Sequence, residues 1–77
     1  MFEQWIRLQS PEIVLEVFNR LSHFLSDREL LNIMESIKNG RDIVDIHIEL
    51  GVLDKYRVEL FKIREIVTSS NPDKVID

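Results

Sequence analysis

Ser10-Pro11-Glu12 and Ser26-Asp27-Arg28-Glu29 are two helix starts written into this chain, and together they constrain its fold more than any other feature. A serine just before a helix accepts a hydrogen bond from an unpaired backbone N–H. Proline suits the first helical position, and an early glutamate meets the positive end of the helix dipole. Ser26 and Glu29 also have the spacing of a capping box, in which each side chain satisfies the other residue's backbone. After the first start, Val14, Val17, Phe18, Leu21, Phe24 and Leu25 recur at steps of three and four, which predicts a helix from Pro11 to about Leu25. Glu12, Glu16, Asn19 and Arg20 take the opposite side. After the second start, Leu30, Leu31, Ile33, Met34 and Ile37 form the expected buried side of a helix. Asn39-Gly40 ends it, since glycine readily becomes left-handed there. The link at Ser26 is short, so the two helices are expected to pack as neighbours.

Residues 42–67, DIVDIHIELGVLDKYRVELFKIREIV, allow two structures. Val44, Ile46, Ile48 and Leu50 alternate with Asp45, His47 and Glu49, as in a half-buried strand, and Tyr56, Val58 and Leu60 could supply a hairpin partner. In the helical alternative, Ile43, Ile46 and Leu50 share one face, widened by Val44 and Ile48. Gly51 closes that helix, and Asp54 caps another with Tyr56, Leu60, Ile63 and Val67 as its stripe. A lone two-stranded hairpin is marginal in water, and its neighbours here are helical. The expected fold class is therefore all-α, a compact bundle of four to five short helices. The alternative is α+β, with a hairpin within residues 43–60.

A short helix over residues 2–9 would carry Phe2, Trp5, Ile6 and Leu8 on one side, and would need something to dock on. Residues 1–68 then make a single helical domain. Thr68-Ser69-Ser70-Asn71-Pro72-Asp73 opens a polar segment, so 69–77 is expected to be a mobile tail. At 77 residues the chain buries only about 60% of the surface it exposes when unfolded, and part of its core could be completed by a second chain.

Several function classes are disfavoured. With no cysteine, thiolate chemistry and disulfides are excluded, which leans towards a reducing interior. The N-terminus lacks a signal-peptide pattern and no apolar run is long enough to span a bilayer, so a cytoplasmic protein without membrane contact is expected. No phosphate loop, nucleophile motif or paired-histidine zinc pattern is present, and the expectation is a non-enzyme with no cofactor. Asp45, His47 and Glu49 would share a face on a strand. On a helix, His47 points away from the other two, and no metal site is expected.

Leu30 to Val67, read as LLNIMESIKNG, DIVDIHIELG, a short turn and DKYRVELFKIREIV, resembles the helix-turn-helix core of small bacterial and phage regulators. Two positions depart from that pattern. His47 stands four residues before the turn glycine, where a small residue is usual, and Arg57 occupies the place of an apolar anchor. The resemblance implies DNA reading by the helix 54–67, with Lys55, Tyr56, Arg57, Lys62 and Arg64 as contacts. Lys55, Arg57, Lys62 and Arg64 face only Glu59 among acidic residues of 55–64, yet the whole chain carries a net charge of −4. The first expectation is instead a small regulatory protein that associates with a protein partner or with itself, as a dimer. Phe2, Trp5 and Ile6 are its candidate interface residues, with DNA binding as the alternative. Trp5 could equally close the chain's own core.

Overall fold

The structure, a computed structural model, describes residues 2–76. Among them run α1 (Phe2–Arg7), α2 (Pro11–Ser22), α3 (Asp27–Lys38), α4 (Ile43–Glu49), α5 (Val52–Lys55) and α6 (Arg57–Ser70). No strand occurs among the described residues, so the fold is all-α and the hairpin alternative for 43–60 does not form. Met1 and Asp77, the ends of the expected domain and tail, lie outside the described residues.

The α2 stripe forms as the spacing dictates. Ser10 Oγ accepts from Ile13 N at 3.4 Å, Pro11 leads the first turn, and Ile13, Val14, Val17, Phe18 and Leu21 are buried. Opposite them α6 presents Leu60, Ile63 and Val67, with Tyr56 half-buried at its start. This α2–α6 pair holds the centre of the core, and α1 and α4 close its sides with Trp5, Ile6 and Val44. The α2 helix stops at Ser22, three residues before the expected end. Phe24 N and Leu25 N then bond to Leu21 O and Ser22 O, a tighter turn that leaves Phe24 exposed.

Asp42 decides the contested stretch. Its carboxylate accepts from Val44 N and Asp45 N at 3.1 and 3.2 Å, capping a helix that the Val44–Leu50 alternation had disguised. Val44, Ile46 and His47 are buried and Ile43 and Ile48 half-buried, so most sides of α4 face protein. Gly51, left-handed at φ 73°, terminates α4. Asp54 is not the expected cap: the chain makes the one-turn α5 first, and α6 starts at Arg57 after a break at Tyr56 (φ −109°, ψ 34°).

The α6 helix runs to Ser70, past the boundary drawn at 68, and the segment expected to be mobile folds back on α2 and the link before it. Gln9 Nε2 donates to Ile76 O at 2.6 Å while its Oε1 accepts from Ile76 N at 2.9 Å. Lys74 reaches Glu12 at 3.3 Å, Asn71 reaches Glu16 at 3.3 Å, and Val75 packs on the core.

Candidate protein-interaction surface

How α3 is pinned determines which of its faces stays open. At its start the capping box is complete, with Glu29 N donating to Ser26 Oγ at 3.2 Å and Ser26 N donating to Glu29 Oε1 at 2.9 Å. The same carboxylate also accepts from Tyr56 Oη at 2.8 Å and Lys55 Nζ at 3.2 Å, tying α3 to the α5–α6 junction. The Ser26 N–H, then the Tyr56 and Lys55 donors, hold the Glu29 carboxyl down at about 2. The same pairing raises the Lys55 ammonium and the Tyr56 phenol above their ordinary values. At its other end Arg41 N bonds to Ser36 O and Gly40 N to Ile37 O, with Gly40 at φ 82°, a Schellman turn that leads into α4.

Glu29 and Ile33 lie one above the other on a helix, so anchoring Glu29 turns the Ile33 edge of α3 towards the body, where it rests on α4. Met34 then lies about 100° and Leu31 about 160° around the helix from Ile33. The result corrects the expectation of a buried α3 stripe. Ile33 alone is buried and Leu30 half-buried, while Leu31, Met34 and Ile37 are 65%, 64% and 46% exposed. Nor does α3 pack flat on α2 as a neighbour. A groove of about 240 Å³ separates them, with Leu15, Asn19 and Ser22 on one wall, Leu30 and Met34 on the other, and Leu25 beside the connecting turn. Phe18, Ile33, Ile43 and His47 form its floor.

His47 makes this floor apolar. Its Nδ1 donates to Ile43 O at 2.7 Å, its ring stacks on Phe18, and burial pushes its pKa below the ordinary histidine value. Asp45 and Glu49 point elsewhere, to Arg7 (2.7 Å) and Arg41 respectively. The helix thus separates the three residues that a strand would have aligned.

No family model, curated protein or solved structure matches this chain. Its own geometry therefore carries the functional argument.

Among the residues expected at an interface, Trp5 and Ile6 are in the chain's own core, and Phe2 is half-buried with its ring 5.6 Å from that of Trp5. Of the five expected DNA contacts, Lys55 and Tyr56 are engaged with Glu29, and the Arg64 guanidinium sits 4.9 Å over the Trp5 ring. Arg57 and Lys62 are exposed but five residues apart, about 140° around α6, so the five do not form one face. The α5 turn also lengthens the connection that the helix-turn-helix resemblance requires to be short. What the sequence reading missed is the exposure of Leu31, Met34 and Ile37. The available signal was a stripe on α3 too wide for a single neighbouring helix to cover.

Proposed function

We propose that this protein is a non-catalytic regulatory binding module that acts by protein–protein association through the open face of α3 and the groove beside it. The supporting observation is the pair Leu31 and Met34, 65% and 64% exposed on a helix whose other side is anchored through Glu29 and Ile33, with Ile37, 46% exposed, one turn beyond Ile33. Leu15, 59% exposed, continues the same apolar surface across the groove. Contiguous exposed apolar surface on a small acidic chain is costly to solubility, and its usual purpose is association. A helix-in-groove contact reads apolar anchors at this spacing.

The test is affinity capture with the full chain, comparing wild type with the Leu31→Glu/Met34→Glu double variant. The reading expects a retained protein, the chain itself or another, that is lost with the variant while its helical circular dichroism is kept. Identical capture by both forms would end it. A DNA-binding role for α6 has weaker support, since only Arg57 and Lys62 of its five candidates are both exposed and uncommitted to a neighbouring side chain. A mobility shift at low salt with Arg57→Ala/Lys62→Ala as control tests that alternative.

A further inference from the structure

Resting on the association reading, we propose that the occupant of the open α3 face is α3 of a second copy of this chain, lying antiparallel across a two-fold axis. Asp27, Leu31, Met34 and Lys38 follow one another at steps of four, three and four, the spacing of a helical seam. They make a single strip along the side of α3 that points away from the Ile33 edge. All four are exposed, and among the described residues neither Asp27 nor Lys38 forms an ion pair. The strip therefore reads negative, apolar, apolar, positive.

That order is self-complementary in one orientation. An antiparallel copy places Asp27 opposite Lys38 of the second copy and Leu31 opposite its Met34, and the two-fold axis repeats both contacts. A parallel copy would set Asp27 against Asp27 and Lys38 against Lys38. Of the other charges of α3, Glu29 is held by Tyr56 and Lys55, while Arg28 and Glu35, of opposite sign, lie together on one flank of the strip, about 60° and 40° around the helix from Leu31. An unrelated partner helix would have no need of a strip whose two ends are opposite in charge and evenly placed about its centre. A second copy does.

The size of the contact sets its strength. The twelve residues of α3 make a seam about 18 Å long. This falls short of the roughly 800 Å² per partner of a standard interface, so the dimer belongs to the weak, micromolar class.

Sedimentation velocity on the full chain, from micromolar to millimolar concentration, tests the inference. Wild type is expected to pass from monomer to dimer. Asp27→Lys and Lys38→Asp should each weaken self-association about tenfold, because each turns both attractive contacts repulsive. Mixed in equal amounts, the two variants should form a heterodimer with close to wild-type affinity, since every contact is again between opposite charges. Folding losses in either variant cannot mimic that rescue. A third variant, Leu31→Glu, should remain monomeric with its helix content unchanged. A wild-type monomer at millimolar concentration overturns the proposal, and so does a dimer whose affinity ignores the charge reversals or is not restored in the mixture. If the wild type is monomeric yet captures another protein through Leu31 and Met34, this inference fails and the association reading stands. If capture is also independent of those residues, both fail.

Discussion

The imidazole of His47 stacks on the ring of Phe18, with centroids 3.9 Å apart and planes inclined by 20°. This contact joins α4 to α2 beneath the groove, at a position where a helix-turn-helix regulator carries a small residue. The ring is buried, and burial lowers its pKa from the ordinary 6.5, against the opposing effect of its bond to Ile43 O. A buried base whose folded value is depressed binds its proton more readily when unfolded. Its contribution to stability is therefore complete above pH 6.5 and is lost as pH falls from 6.5 towards the folded value. His47→Leu, close in volume, should cost less than about 1.5 kcal/mol at pH 7.5 and should lose less stability than wild type between pH 7 and 5. Urea titrations at several pH values measure both. Parallel pH curves for the two proteins would rule this account out.

Glu29 works in a lower window. Its carboxyl is held at about 2 against an ordinary 4.5, so its stabilisation is present above pH 4.5 and fades as pH falls towards 2. Glu29→Gln keeps an oxygen for the Ser26 N–H but loses the charge, and should cost about 1–2 kcal/mol at pH 7 through its weakened bonds to Ser26, Tyr56 and Lys55. Because Tyr56 donates to this carboxylate, Tyr56→Phe should be strongly coupled to Glu29→Gln in a double-mutant cycle. Simple additivity would mean that the Tyr56 bond contributes nothing in solution.

The local signals in the sequence were physical and mostly sufficient. Ser10 and Ser26 cap where spacing placed them, and Leu60, Ile63 and Val67 bury as one stripe. The stretch around His47 was ambiguous because a short helix buried on most sides is apolar at nearly every position, which also satisfies strand alternation. Periodicity identified the apolar side of α3 but not what would cover it. Coverage depended on Glu29 choosing Tyr56, a contact 27 residues away in sequence, and no local pattern encodes it. Gln9 was equally illegible, since its value lies in meeting Ile76 at the far end of the chain.

Gln9 is buried and clasps both backbone groups of Ile76, while its Nε2 also donates to Trp5 O at 2.9 Å. Removing the amide leaves these partners to find water. Gln9→Ala should cost about 1–3 kcal/mol. It should also speed amide exchange at Ile76 and proteolysis after Asn71, with little change in the α2–α6 core. Equal exchange rates at Ile76 in both proteins would show that the clasp does not hold the segment in solution, as the sequence expectation of a mobile tail has it.

Gly51 isolates a backbone effect from packing. It sits at φ +73°, and a Cβ added there would meet nothing within 4 Å. Any penalty for Gly51→Ala is therefore conformational, about 1 kcal/mol for placing a side chain in the left-handed region. Asparagine tolerates that region better, so Gly51→Asn should cost less than Gly51→Ala. Chemical denaturation of the two variants supplies the measurement. An alanine variant as stable as wild type would mean that α4 does not end at Gly51, and the connection into α5 and α6 would have to be redrawn.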